Sequence, residues 1–495
     1  MTQRNSSLVV RWNRMPADPG ASTNDAPLPP TLMPEPTATP RASQVDEKPL
    51  WRAMAWFVVP QSADTALQLV SGTITVIYFG RLLGPWALAV ASAFFPIFFL
   101  LVSFLIGIIT GGIVLVGRAH GAGDTQQIKS VMGTTLSVCA LFSIALAAIG
   151  YRFSPELLGA MATPPDILLP AVEYARVTFI SLPVVTLFFA YTYLLRGTGD
   201  AQTPFLAMAL CIAISLLLTP ALIEGWYGLP RLGVTSAPWA NLVACAVSLP
   251  PLMVYLRVKR HPTTFDRDLL RRLWIDPTIA RTFFGIGIPA GVQMVMTSLS
   301  EVAVVSFVNP FGSSATAAYG AVNQLAGYLL APMQAVGLAA TVFAARAVGA
   351  RQGDRLGAVT RIAMVLTVLI GASAVGAVCL FSQNLLSWFV TDPVTLSIAG
   401  RALLITLWSY VFVGIGNVLV GVMRATGAVV WPAAIAIAAI WLVQLPTTYL
   451  LSRTIGLDGV WIGYPAGFVA ALIARQSAAA SAPAAAAGEG EARAG

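Results

Sequence analysis

One acidic side chain stands alone inside a long apolar segment, at Glu301 in VQMVMTSLSEVAVVSF. Gln293 and Thr297 precede it at intervals of four residues, so the three side chains share one face of a helix. An ionisable group within a membrane span is costly and is a functional candidate by default. With no Lys or Arg near it in sequence, the carboxyl can bind a proton and release it on hydration, or join hydroxyl and amide oxygens around Na⁺. The alternative is a hydrogen bond between helices that only holds the bundle together.

A second acid, Asp64, lies in VVPQSADTALQLV, four residues after Pro60, and Gln293 likewise follows Pro289 by four residues. Asp64 and Thr75 lie near one face of a helix, because the eleven residues between them make about three turns. Asp64 is therefore a second candidate for cation coupling. The alternative is a role in helix packing or in capping the break at Pro60.

Polar side chains in two further apolar segments are candidates for the lining of a substrate cleft. Buried amides more often form hydrogen bonds between membrane helices, whereas a phenol ring can also hold an organic cation through cation–π contact. The candidates are Asn323, Gln324, Gln334, Tyr410 and Asn417.

The elements that must position these residues are membrane helices. The chain is 57% hydrophobic and 10% charged, whereas a soluble domain carries about 25% charged residues. A membrane helix needs about 20 largely apolar residues, and twelve such segments fit between residues 51 and 475. The four cysteines and two histidines form no CxxC pair or metal-ligand pattern, and no clustered catalytic set occurs. We therefore expect no cofactor, no metal and no enzymatic activity.

Composition also divides the chain. Residues 1–50 are rich in Pro, Ala, Thr and Ser and lack the apolar core of a signal peptide, and such a segment cannot bury enough apolar surface to fold alone. The predicted organisation is a disordered tail at 1–50, an N-lobe of six helices at 51–256, a basic linker at 257–281, a C-lobe of six helices at 282–475 and a disordered Ala-rich tail at 476–495.

Basic residues predict the orientation in the membrane. The linker contains RVKRHPTTFDRDLLRRLW, the most basic connection in the chain, and the turns after the even-numbered segments fall on its side. We expect this side and both tails to face the cytoplasm of a bacterial-type inner membrane. The net charge of +8 then reflects a topological anchor that touches lipid headgroups, not a nucleic-acid site.

Two short turns repeat one pattern in the two halves. LLRGTGDAQTP at 194–204 and VMRATGAVVWP at 422–432 carry Arg, Thr, Gly and Pro in the same order and spacing. GRAHGAGD and ARAVGARQGD repeat at the same offset, so that Arg118 corresponds to Arg346 as Arg196 does to Arg424. Six helices in each half leave both halves in one orientation, so their symmetry axis runs along the membrane normal and they meet at a cleft. This is the architecture of a carrier.

The first of these turns is not a phosphate loop, because it lacks the Walker spacing. Its glycines permit a tight reversal, and we expect Thr203 to cap the next helix, with Pro204 in the first turn. Arg196 marks the basic side and is placed to pair with Asp200. The residues that define the two turns are Arg196, Gly197, Gly199, Asp200, Arg424 and Gly427.

These turns resemble those of the multidrug and toxic compound extrusion (MATE) family. LLRGTGDAQTP is similar to the family's turn between helices four and five, and VMRATGAVVWP to its counterpart between helices ten and eleven. FGRLLGPWALAVAS resembles the link between helices one and two, and GLAATVFAARAVGARQGD the end of helix eight. The similarity covers residues 55–470. It implies twelve helices in two lobes and export of organic cations, driven by inward flow of Na⁺ or H⁺.

The chain departs from the family at each expected acid. Thr75 stands where many members have an Asp in helix one, and Ser215 and Thr219 stand for an Asn and an Asp in helix five. Thr297 and Val413 replace a Glu in helix seven and an Asp in helix ten. The resemblance therefore leaves the coupling ion open. The candidates for cation coupling are Glu301, Thr297, Gln293, Asp64, Thr75 and Thr219.

Together these features predict an antiporter that exports cationic, amphipathic organic compounds in exchange for H⁺ or Na⁺. We expect it to contact membrane lipid and to work as a monomer. One alternative is a flippase for lipid-linked precursors, which would need several intramembrane Arg residues, and the first two spans contain none. Another is a polytopic membrane protein that does not transport.

Overall fold

A computed structural model describes residues 49–161, 163–387 and 392–492. Within them, twelve helices are long and apolar enough to cross a membrane, which confirms the predicted fold class. These are α1 (Leu50–Leu83), α2 (Pro85–Gly121), α3 (Thr125–Ala160), α4 (Pro165–Gly197), α5 (Gln202–Glu224), α6 (Gly233–Val258), α7 (Pro277–Phe311), α8 (Ser313–Gly349), α9 (Gly353–Ser382), α10 (Pro393–Thr426), α11 (Val430–Ile455) and α12 (Leu457–Ser477).

The structure describes the C-terminal one of the two predicted tails in part and the N-terminal one at its last residues only. Residues 1–48 of the N-terminal tail lie outside the described residues. The backbone of α12 continues as a helix to Ala492, through most of the Ala-rich segment for which the sequence predicts disorder.

The two halves of the chain repeat the same local geometry. The turn between α1 and α2 passes through Gly84 with φ +87°, and the turn between α7 and α8 passes through Gly312 with φ +97°. Only glycine adopts such a φ without strain, and the offset between the two positions equals that between Arg196 and Arg424. The turns thus extend the duplication that the Arg-containing motifs indicate.

The lobes meet mainly through four helices, α1 and α2 of the first and α7 and α8 of the second. We call the end of the bundle that carries the linker and the turns after even-numbered helices the basic end, and the other the far end. An apolar cluster in the basic half joins Phe57 of α1 and Ile113 of α2 to Ala339 and Val342 of α8. The lobes are thus in close contact through their basic halves.

Glycines allow α2 and α7 to approach each other there. A Cβ atom at Gly107 would overlap the backbone of Gly291, and one at Gly287 would lie 2.7 Å from the carbonyl oxygen of Ile108. Close backbone approach through small residues is typical of packed membrane helices.

The basic linker is docked on the N-lobe. Its short helix Arg267–Arg271 is held by an ion pair between Asp266 and Lys129 of α3. Arg272 donates a hydrogen bond to the hydroxyl of Ser130, and the hydroxyl of Tyr191 donates to the carbonyl oxygen of Thr263 at 2.9 Å. Part of the linker's charge is therefore engaged with its own protein.

Candidate functional site

The N-lobe contains a cavity of about 520 Å³ that extends from its middle toward the far end. Aromatic rings supply much of its wall, among them Phe94, Phe98 and Phe189. No charged side chain lines it within the described part of the chain. Its polar lining consists of neutral groups, which include Gln68, Ser71, Thr75, Thr178, Ser215, Thr219 and Asn241.

Asp64 lies on the basic side of this cavity and does not line it. Its Oδ2 atom accepts from Arg196 Nη2 at 2.7 Å and from Gln68 Nε2 at 2.9 Å. Both members of the ion pair are 1% exposed, and the guanidinium of Arg196 lies 4.2 Å from the ring centroid of Tyr193. A coupling cation at Asp64 would have to compete with a guanidinium that already compensates the charge. The six residues predicted for cation coupling therefore do not form one site.

The expected pairing of Arg196 with Asp200 is wrong, and so is the expected cap at Thr203. Asp200 Oδ1 accepts from the backbone N–H groups of Gln202 and Thr203, both at 3.0 Å, and thus caps the start of α5 itself. Arg196 instead turns into the lobe, where it meets a buried carboxylate from a distant part of the chain.

The C-lobe contains the repeat counterpart of this pair. Arg424 Nη2 donates to the amide oxygen of Gln293 at 3.0 Å, where the N-lobe has a carboxylate. A further guanidinium, that of Arg475, lies buried nearby with Nη1 against Gly416. The amide of Gln293 is thus already in contact with a positively charged side chain, that of Arg424. Since eight residues of helix separate Gln293 from Glu301, which is about 12 Å, the structure does not bring these two predicted ligands together.

Glu301 lies in the far half of the C-lobe. Its side chain is exposed, and its carboxylate interacts electrostatically with the phenol groups of Tyr319, Tyr410 and Tyr464. These three rings belong to α8, α10 and α12, so Glu301 lies near three other helices of the C-lobe. Glu301 makes no ion pair or hydrogen bond with another residue of the described segments. Thr297 is occupied locally, since its hydroxyl donates to the carbonyl oxygen of Gln293 at 2.9 Å.

Tyr410 is among the predicted cleft candidates, whereas Tyr319 and Tyr464 extend the site in a way that the sequence did not indicate. The hydroxyls of Tyr319 and Tyr464 lie 3.3 Å apart, and the rings of Tyr319 and Trp461 stack at 6.0 Å. Tyr319 and Tyr464 lie near the starts of their helices, where aromatic residues are also common as membrane-interface anchors. Only the packing distinguishes an inward-facing ring from an interface ring.

The remaining cleft candidates are divided between the site and the interface. Asn323 lies beside Tyr319, and Tyr410 is buried. Gln324 Nε2 donates to Thr73 of the other lobe at 3.3 Å. Asn417 packs against Gly337 of α8, and Gln334 is exposed.

Two six-helix lobes meet through their basic halves, and the far half of the N-lobe contains a largely apolar cavity with neutral polar groups in its wall. This arrangement defines a membrane carrier and not an enzyme. The MatE family model matches residues 60–221 and 289–450, one match in each lobe, and the chain belongs to the MATE family of transporters.

Individual relatives agree with this assignment. The chain is 42% identical to the probable multidrug resistance protein YoeA of Bacillus subtilis (strain 168), over 89% of this chain and 96% of that protein. It is 26% identical to a protein named as an FAD transporter from Shewanella oneidensis, over 78% and 85% of the two chains. A solved structure described as the outward-facing conformation of a multidrug resistance MATE family transporter superposes with a TM-score of 0.80 at 22% identity, covering 88% of this chain and 97% of that one.

Proposed function

We propose that this transporter exports cationic, amphipathic organic compounds in exchange for H⁺ or Na⁺. The observation that carries the proposal is the Glu301 carboxylate of α7, which has no basic partner in the described segments and lies near the phenol groups of Tyr319, Tyr410 and Tyr464. A carboxylate of this kind attracts cations, and the surrounding rings add cation–π contact for an organic one. It also favours a cationic substrate over an anion such as the FAD in the name of the Shewanella relative.

Coupling follows if the ion and the organic cation compete for Glu301. Each ligand can shift the balance between two lobe arrangements only by its differential affinity for them. One charge that moves through about 100 mV gains about 2.3 kcal/mol, which suffices for tens-fold accumulation per charge. The excess of Arg and Lys at the basic end supports placing that end in the cytoplasm. In the present arrangement the lobes then meet on the cytoplasmic side, and Glu301 lies toward the outside.

The test uses purified protein in liposomes with tetraphenylphosphonium as substrate, and imposes a pH gradient and a Na⁺ gradient in separate experiments. We expect one gradient to drive accumulation and Glu301→Gln to abolish it. The matched control is Glu156→Gln, which removes an exposed carboxyl paired with Arg152 near the far end of α3 and should transport normally. Undiminished accumulation by Glu301→Gln would remove this residue from the mechanism, and accumulation of FAD in place of the cation would overturn the substrate class.

A further inference from the structure

Two arginines cross between the lobes at the basic end, in opposite directions. Arg118 ends α2 of the N-lobe, and its Nε and Nη2 atoms donate to the carbonyl oxygen of Ala425 in the C-lobe at 3.1 and 2.8 Å. Arg346 ends α8 of the C-lobe, and its Nη2 atom donates to the carbonyl oxygen of Thr198 in the N-lobe. Both acceptors lie in the turns that repeat in the sequence.

These contacts are related by the duplication. Arg118 and Arg346 are repeat-equivalent, and so are Gly199 and Gly427, against which the two guanidiniums lie. Gly199 and Gly427 have φ +76° and +100°. A Cβ atom there would lie 2.5 Å from Arg346 Nη2 and 3.3 Å from Arg118 Nη2, respectively. Glycine thus provides both the turn geometry and the room for the arginine of the other lobe.

A second pair of glycines brings the ends of α2 and α8 together. A Cβ atom at Gly121 would overlap the carbonyl oxygen of Arg346, and one at Gly349 would overlap that of Arg118. Gly121 and Gly349 are also equivalent positions of the two repeats. The two helix ends therefore cross in backbone contact at the symmetry axis, between the two arginine contacts.

The carbonyl oxygens of Ala425 and Thr198 suit a contact that must break when the lobes separate. Carbonyl groups at a helix C-terminus lack partners within the helix and carry the negative end of its dipole, and a guanidinium offers several donors to them. Water can satisfy both the guanidinium and the carbonyl group when the lobes part. The acceptors at Ala425 and Thr198 are neutral carbonyl groups, so breaking these two contacts separates no ion pair.

We infer that Arg118 and Arg346 form a two-armed latch that holds the lobes together at the basic end and opens when that end admits substrate. They are positioning residues, because they contact neither Glu301 nor the N-lobe cavity. This role rests on the proposed alternation between two lobe arrangements. It also explains why the Arg-containing helix ends and the Gly-containing turns occur once in each half, since each half supplies one arm and one acceptor.

The experiment measures the separation of the lobes directly by double electron–electron resonance. Spin labels at Gln127→Cys and Arg355→Cys, which are exposed repeat-equivalent positions at the starts of α3 and α9, span the symmetry axis. Cys379→Ser removes the exposed native cysteine, and the other three are buried. The labelled protein is compared in nanodiscs with Arg118→Ala, Arg346→Ala and the double variant.

We expect each single substitution to raise the ratio of the long-distance to the short-distance population about tenfold, which corresponds to about 1.4 kcal/mol, and the double variant to raise it further. Arg118→Lys and Arg346→Lys keep a positively charged donor group and should restore part of the short-distance population. These two variants also keep the test decisive if an alanine variant is unstable. Arg361→Ala, which removes an exposed arginine of α9 that does not reach the other lobe, is the matched control. Distance distributions that do not differ from this control would overturn the latch.

This measurement needs neither substrate nor coupling ion, so its result is independent of the role of Glu301. Transport that fails in Glu301→Gln while the distances respond to Arg118→Ala would support both proposals. Transport that survives in Glu301→Gln with responsive distances would leave the latch intact and remove only the coupling site.

Discussion

The basic halves of the two lobes hold repeat-equivalent arginines, Arg196 and Arg424, against different partners. In the N-lobe, Arg196 meets the carboxylate of Asp64, and both side chains are 1% exposed. In the C-lobe, Arg424 meets the neutral amide of Gln293. The guanidinium thus occupies equivalent positions in the two lobes, but the group that faces it is a carboxylate in the N-lobe and a neutral amide in the C-lobe. One site is an ion pair of zero net charge and the other carries the positive charge of its arginine.

The difference extends to the intramembrane acids. Asp64 of the N-lobe is buried on the basic side of a cavity that has no charged lining, whereas Glu301 of the C-lobe is exposed in the far half. Gln293 occupies the repeat position of Asp64, so the amide that Arg424 contacts lies about 12 Å along α7 from Glu301. The lobe that lacks an acid against its arginine is therefore the one that keeps an acid available to a cation.

The largest effect that this comparison predicts is the loss of stability in Asp64→Ala. The substitution leaves Arg196 buried without a counter-charge, which should cost about 3–5 kcal/mol of unfolding free energy. The repeat-equivalent Gln293→Ala removes only an amide from Arg424 and should cost about 1–3 kcal/mol. The apparent melting temperatures of the two variants in the same detergent give the comparison.

A double variant sharpens this test. Asp64→Leu combined with Arg196→Met removes both charges and should recover most of the stability that Asp64→Ala loses, because an apolar pair can replace a buried ion pair at little cost. Equal melting temperatures for Asp64→Ala and Gln293→Ala would contradict the view that the N-lobe pair is the more strongly coupled of the two.

A smaller effect of opposite sign is expected for Gln293→Glu, which gives the C-lobe the ion pair of the N-lobe. The new carboxylate would lie where the amide oxygen now accepts at 3.0 Å from Arg424, and Arg475 adds positive charge nearby. A charge-assisted hydrogen bond is about twice as strong as a neutral one, so we expect about 1–2 kcal/mol of added stability and a higher melting temperature. Gln334→Glu introduces the same group at an exposed position of α8 and should give no rise. A fall in both variants would show that Arg424 does not compensate the new charge.

The twelve helices and the duplication could be predicted from the sequence for a physical reason. A membrane helix satisfies its backbone hydrogen bonds within one segment, so its length and composition can be read locally, and motifs such as LLRGTGDAQTP fix the repeat offset. The side-chain pairs are not local. Asp64 of α1 meets an arginine at the end of α4, and Gln293 of α7 meets one at the end of α10.

The repeat nevertheless contained a signal for these pairs. Asp64 and Gln293 are equivalent, and so are Arg196 and Arg424, so an acid–arginine contact in one half implies an amide–arginine contact in the other. Assigning Arg196 to its neighbour Asp200 missed this correspondence, because Asp200 has no acidic counterpart at Ala428. The tyrosines around Glu301 had no such signal, since they come from three different helices.

The smallest effect on stability is expected for the ion pair between Asp266 and Lys129, through which the linker is docked on the N-lobe. Burial alone would raise the pKa of Asp266, but the hydrogen bond from Lys129 and the backbone N–H of Leu269 outweigh it and hold this pKa below its usual 3.8. A carboxyl whose pKa is lower in the folded protein stabilises the fold above the unfolded-state value, and this stabilisation is lost as the pH falls through the folded value. Because the Asp266 side chain is 39% exposed, solvent screening should keep its contribution below about 1 kcal/mol.

We therefore expect the melting temperature of Asp266→Asn to lie slightly below that of the unsubstituted protein at about pH 5–6, with the difference shrinking below about pH 4. Asp268→Asn is the matched control, because its carboxylate lies 3.5 Å from Lys129 and is 68% exposed, so its effect should be smaller at every pH. If the difference for Asp266→Asn grows as the pH falls, the carboxylate does not stabilise the docked linker, and the N-lobe must hold it through Arg272 and the hydroxyl of Tyr191 instead.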